Sequence, residues 1–158
     1  MYKSQFKLDY RYILEYIICT KFKSNEFCNV GFWKQGGKIL EEINHEKVQS
    51  LLSSYEHKPV YLHVETTNGA YAAHFDQRIF NAGTFLRNIQ VTYEHAQLKG
   101  GNKDPFRVGL KLKDNGWVYV QGLTHYEVNE NGEFLLAGFN YEGQLAAALE
   151  ISTQPFKA

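Results

Sequence analysis

Three Asn-Gly dipeptides, at positions 68–69, 115–116 and 131–132, each lie between runs in which apolar and polar residues alternate. Asn and Gly both tolerate the positive φ of a tight reverse turn, so such a pair between two period-two runs is the strongest short-range mark of a β-hairpin. That pattern governs most of the chain. Candidate strands are Val60 to Thr66, Ala70 to Asp76, Phe85 to Leu98, Phe106 to Lys113, Trp117 to Leu123, His125 to Val128, Phe134 to Phe139 and Leu145 to Ser152. Ahead of them, Ile43, Val48, Leu51, Leu52 and Tyr55 recur at spacings that suit one face of a helix over about 41–55, and Pro59 stops that helix before the first strand. The expected fold is mainly β, an antiparallel meander with an N-terminal helix.

Alternation also selects registers, because a slip by one residue turns every side chain to the other face. Looping out Glu130-Asn131-Gly132 sets Val128 against Phe134 and Tyr126 against Leu136, and keeps Glu130 from facing Glu133. Looping out Asp114-Asn115-Gly116 sets Leu112 against Val118 and Leu110 against Val120, with Lys111 and Lys113 beside Tyr119 and Trp117. In both loops the glycine is expected in the left-handed position of a bulged turn. With Asn68-Gly69 as a two-residue turn, Leu62 faces Phe75 and Val64 faces Ala73. The other side then holds His63 directly across from His74 and Tyr61 across from Asp76, with Glu65 beside them.

Composition divides the chain. Its 158 residues carry 17 basic and 17 acidic side chains, but residues 1–39 hold 7 of the basic and 3 of the acidic ones, together with both cysteines, Cys19 and Cys28. Residues 40–158 are therefore acidic and cysteine-free, and contain all six histidines. The residue types with the most AT-rich codons fill 21 of the first 39 positions but 34 of the remaining 119. Gln35-Gly36-Gly37-Lys38-Ile39-Leu40 can be encoded as a purine-rich ribosome-binding site followed by a TTG start codon. Residues 1–39 are accordingly expected to be a misassigned or poorly ordered extension, and residues 40–158 a single β domain. The competing reading makes Tyr10 to Ile18 a true amphipathic or buried helix; interrupted by Arg11 and Glu15, it is too short to span a membrane.

At 44% hydrophobic residues the chain can bury a core, and its charge balance argues against a nucleic-acid arm or a polybasic membrane patch. Two cysteines are too few for a disulfide scaffold and lack zinc-site spacing. No Ser-His-Asp order, nucleophile elbow or phosphate loop appears. The best candidate for chemistry is the polar cluster His63, Glu65 and His74, with Tyr61 and Asp76 on the same surface. Two imidazoles and a carboxylate can hold a divalent transition metal or relay protons, and the same residues also suit a merely satisfied polar cluster. Arg87 falls among Phe85, Ile89, Val91 and Tyr93 on the apolar side of its strand. A guanidinium buried there must meet an internal carboxylate such as Glu65 or Glu150, or an anionic ligand. Lys111, Lys113, Trp117 and Tyr119 form a small basic-aromatic patch, for which lysine stems lying over exposed rings are the ordinary account.

The segments HVETTNGAYAAHF (63–75), AGTFLRN (82–88), FRVGLKL (106–112), GWVY with GLT (116–124) and LAAALEISTQPF (145–156) resemble the YojF family of small proteins from Gram-positive bacteria. The resemblance runs from about Glu41 to Phe156 and leaves out the first 39 residues. It implies a coiled sheet folded on itself into a barrel-like core and capped by short helices, and it carries over no catalytic residues. It also implies a genetic neighbourhood with a deacetylase of bacillithiol biosynthesis, and so an accessory role in low-molecular-weight thiol metabolism. The expected protein is cytoplasmic and non-enzymatic, and binds that deacetylase, a small ligand or a second copy of itself through an exposed sheet edge. The alternative is a metal-binding protein or enzyme using His63, Glu65 and His74, with Arg87 as anion anchor. Neither nucleic acid, membrane nor a cofactor beyond that metal is expected.

Overall fold

The computed structural model describes the backbone of Lys34–Gln35 and Lys38–Ile39, and residues 40–68, 82–141 and 143–157. The chain divides into two units between Ile39 and Leu40. In the first, β1 (Lys34–Gln35) pairs antiparallel with β2 (Lys38–Ile39). The second contains β3 (Glu41–Glu42), α1 (His45–Ser54), β4 (Pro59–Asn68), β5 (Ala82–Lys99), β6 (Phe106–Leu112), β7 (Trp117–Leu123), β8 (His125–Val128), β9 (Phe134–Phe139) and β10 (Leu145–Ser152).

The helix starts later than its apolar spacing suggests. Glu41–Glu42 pairs with β8 as a short strand, and Asn44 then caps α1 by accepting the Lys47 N–H at 3.0 Å. Val48 and Leu52, one turn apart, are the residues that α1 buries completely. The polar side of α1 has a second task. Strand β4 pairs with β5 only as far as Thr92, which leaves the β5 backbone beyond it unpaired on that side. Gln49 brackets this edge, donating to the Ala96 carbonyl at 2.9 Å and accepting from the Leu98 N–H at 2.9 Å. Glu56 accepts the Ala96 N–H at 2.9 Å, and the buried Tyr93 hydroxyl donates to the Leu52 carbonyl at 2.7 Å. Gln49 of the helix and Glu56 just after it thus finish a sheet edge that no described strand covers.

All sheet pairings are antiparallel, in the order β3-β8-β9-β10-β4-β5-β6-β7. Strand β7 pairs with β6 while β8, which follows it after Thr124 alone, pairs with β9. One bent stretch of chain therefore serves both ends of the sheet, which curls into a half-barrel around a single core. Gly122 makes the bend at φ +94°, and the Thr124 N–H donates to the Ala137 carbonyl at 2.9 Å. Here β7 crosses β9 so closely that a Cβ on Gly138 would collide with the Gly122 carbonyl oxygen. The curled antiparallel sheet with one short helix agrees with the expected fold class.

The hairpins divide. Val128 faces Phe134 and Tyr126 faces Leu136 as expected, with Gly132 at φ +74°. Asn129 stitches that loop by accepting the N–H groups of Asn131 and Glu133. In the β6–β7 hairpin the faces are as expected but the register differs by two: Leu110 faces Val118, and Lys111 faces Trp117. Leu112 N–H donates to the Gly116 carbonyl, so the loop is Lys113-Asp114-Asn115, and Asn115 takes the left-handed position at φ +59°. A shift of two preserves every face, so alternation cannot detect it.

The expectation for β4 is overturned. Both of its edges are occupied, by β10 with Glu150 at the position opposite His63 and by β5 on the other side. Leu62 and Val64 meet Ile89 and Leu86 on β5 in place of Phe75 and Ala73, and Tyr61 is paired with Gln90 in place of Asp76. The candidate strand 70–76, with His74 and Asp76, lies outside the described residues.

Candidate binding site around His63

A bulge builds the site. Between the Leu62–Ile89 and Val64–Leu86 pairs the β4–β5 register shifts by one, so Arg87 and Asn88 together oppose His63. Asn88 takes φ +56°, a conformation Asn reaches more readily than most residues. Its side chain then clamps the segment after β10: Oδ1 accepts the Phe156 N–H at 2.7 Å and Nδ2 donates to the Phe156 carbonyl at 3.0 Å. Phe156 is thereby carried onto the sheet and is 3% exposed.

His63 lies beneath it, 1% exposed, between the ring of Phe85 at 5.1 Å and that of Phe156 at 6.3 Å, both edge-on. Its two nitrogens face opposite partners. Arg87 Nη1 is 3.4 Å from Nδ1, and Glu65 Oε2 is 3.5 Å from Nε2. A guanidinium can only donate, so Nδ1 is the acceptor in the Arg87 contact and Nε2 is the nitrogen turned toward the carboxylate. At 3.5 Å that approach is electrostatic and falls short of a hydrogen bond, and Glu65 Oε2 has no hydrogen-bond partner among the described residues. The arrangement runs from a cation through an imidazole to a buried carboxylate, a geometry suited to holding a polarised group or passing a proton.

Of the expected site residues, His63 and Glu65 are brought together, and Tyr61 lies on the same side of β4, half-buried. Arg87 departs from expectation. It is half-buried, because the bulge interrupts the alternation that would have turned it inward. Besides His63 it donates to the Lys157 carbonyl at 2.9 Å and lies 5.4 Å over the Phe156 ring. The two carboxylates expected to be internal are so: Glu65 is 3% and Glu150 5% exposed.

Phe85, Asn88 and Phe156 belong to this site and were not singled out by sequence reasoning. Nothing in a sequence reports that a residue two places from the end of a chain will fold over a bulge. Glu150 carries a readable signal, as the lone charge in the otherwise apolar run of a strand flanked on both sides, β10. Among the described residues no group of three His, Cys, Asp or Glu side chains is placed to hold a metal ion, and no helix is long and apolar enough to cross a membrane.

Comparison with known proteins adds a family. The model of a family described as a protein of unknown function (DUF1806) matches residues 42–156. YojF, an uncharacterised protein of Bacillus subtilis (strain 168), is 44% identical over 117 residues, which is 74% of this chain and 98% of that protein. The crystal structure of Bacillus subtilis YojF matches with a TM-score of 0.62 at 40% identity, covering 75% of this chain and 98% of that one.

Proposed function

We propose, from the premise that this chain belongs to the YojF family (DUF1806), that it acts as a non-enzymatic binding protein whose partner is another protein. One observation carries the reading. From Ala82 to Val91, strand β5 pairs with β4 alone among the described strands, and along this half Phe85, Leu86 and Ile89 are exposed at 38%, 43% and 45%. Adjacent exposed apolar side chains beside backbone groups that no described strand takes up make a surface suited to an added strand. Its sole charge is Arg87, so little in this stretch repels a partner.

The partner we name is the deacetylase of bacillithiol biosynthesis, which the family resemblance implies, and the setting we propose is the bacterial cytoplasm. Co-purification of the two proteins is the test, with Leu86→Asp and Ile89→Asp expected to abolish it while leaving the circular dichroism spectrum intact. A stable monomer that binds neither the deacetylase nor its metabolites overturns the reading. If the edge instead joins two copies of this chain, sedimentation will show a dimer that the same substitutions dissociate.

A second reading rests on the His63–Glu65 approach at 3.5 Å and the buried carboxylate oxygen beside it. His63 and Glu65 supply one imidazole and one carboxylate, and a divalent transition metal would need a further donor, for which His74, outside the described residues, is the candidate. Elemental analysis of the purified protein decides it. Stoichiometric metal that disappears in His63→Ala and His74→Ala supports the site, and metal-free protein rejects it.

A further inference from the structure

The outer face of β5, β6 and β7 carries a second arrangement, built from other residues than the His63 site. The registers lay three rows across it: His95–Lys111–Trp117, Gln97–Gly109–Tyr119 and Lys99–Arg107–Gln121. The opposite face of the same strands is core, where Tyr93, Ala96, Leu98, Val108, Leu110 and Val120 are buried. This face therefore has a rigid backing. On it Trp117 is 65% and Tyr119 59% exposed, a large apolar area to leave in water.

The ordinary cover for such rings includes a cation over the face, and among the described residues neither Trp117 nor Tyr119 has one. Lys111, the cross-strand neighbour of Trp117, sends its ammonium to Glu94 at 3.7 Å. Among the described residues the cation–π contact formed is that of Arg87 with Phe156, which leaves Trp117 and Tyr119 largely exposed to solvent.

Gly109 leaves the middle of this face without a side chain. A Cβ built on it would lie 3.8 Å from Trp117 Cζ3 and 4.0 Å from Tyr119 Cδ2. Both rings thus border a position with no side chain, and backbone forms the floor. Arg107 and Lys111 stand two residues to either side on the same strand, each about 7 Å from the floor. Lys99 adds a third cation, and Glu94 is the one carboxylate among these side chains.

We propose that this face binds a small ring-bearing phosphate, the ring lying against Trp117 and Tyr119 beside Gly109 and the phosphate reaching Arg107 or Lys111. Stacking selects a ring with a flat face, and the flanking cations select a charge about one ring-length away. The acidic balance of residues 40–158 disfavours a long polyanion, whereas a small anion responds to the cations within a Debye length of it. The ring could come from a nucleoside phosphate or a sugar phosphate, and the two are separable by experiment.

The test is an NMR titration of the full-length chain with adenosine monophosphate, glucose 6-phosphate, adenosine and inorganic phosphate. Saturable shifts of the Gly109 and Tyr119 amides are expected with one of the first two, and whichever binds more tightly identifies the ring. Adenosine and phosphate alone should each bind about tenfold more weakly or worse. Gly109→Ala separates binding from folding, because its one added carbon meets the rings at ordinary contact distance and alanine loses less backbone freedom on folding than glycine. That variant should keep or raise the unfolding midpoint and lose the shifts. The proposal is overturned if neither ring-bearing phosphate shifts these amides by about 10 mM, if phosphate alone binds as well, or if Gly109→Ala binds undiminished.

Discussion

Asn88 holds Phe156 by both atoms of its side-chain amide, accepting the Phe156 N–H at 2.7 Å and donating to the Phe156 carbonyl at 3.0 Å. The two residues are 68 positions apart, and the clamp seats the Phe156 ring over His63 and beneath the Arg87 guanidinium. Strand bulge, chain end and buried histidine are thus one unit.

Substitutions at Asn88 should separate its two contributions. Asn88→Gly keeps the left-handed φ without strain but removes the clamp, at a cost of about 2 kcal/mol for two hydrogen bonds. Asn88→Ala loses the clamp and also places a Cβ in a disfavoured conformation, for about 1 kcal/mol more. Urea denaturation of the two variants measures the difference; equal stabilities would show that the left-handed backbone carries no cost here.

The crossing of β7 over β9 has no room for a side chain. Gly138→Ala would drive a methyl group into the Gly122 carbonyl, where backbone rather than a movable side chain must yield. A loss of about 3 kcal/mol is expected, visible as a lowered midpoint or as insoluble protein. An unchanged midpoint would mean that the strands do not cross at this distance in solution.

Stability should fall at alkaline pH. Burial, reinforced by the charge of Glu56, holds the Tyr93 phenol well above its ordinary range. Tyr126 is raised by burial and by its 2.8 Å hydrogen bond to Glu41, and Tyr55 is raised by burial. In the unfolded chain each phenol ionises near pH 10. The folded state therefore binds the proton more tightly, and the stabilisation is complete below about pH 10 and is lost as pH rises from there toward the folded values. Denaturation midpoints followed from about pH 8 to 12 should be flat and then decline. Tyr93→Phe should begin about 1 kcal/mol lower and decline less steeply.

Much of the sheet was legible because alternation is a local property. The strands His125–Val128, Phe134–Phe139 and Leu145–Ser152 follow directly from it, as does the Val128–Phe134 register, where a like-charge pair excluded the neighbouring choice. The β6–β7 register was beyond reach, since moving by two leaves every face unaltered. The adjacency of His63 and Glu65 needed only their spacing of two. Their other neighbours needed the whole topology.

What sequence alone determined is what local periodicity and turn chemistry control: strands, their faces, the stop at Pro59, and the pairing of an imidazole with a carboxylate on one side of β4. Tertiary structure decided which strands became neighbours of β4, because edge pairing is a competition among distant segments that share the same alternation. It also decided the bulge at Arg87–Asn88, which redirected a guanidinium that the period-two pattern had turned inward. The closing of Phe156 over His63 depends on the Asn88 side-chain amide meeting a backbone 68 residues further on, and no local pattern encodes that meeting.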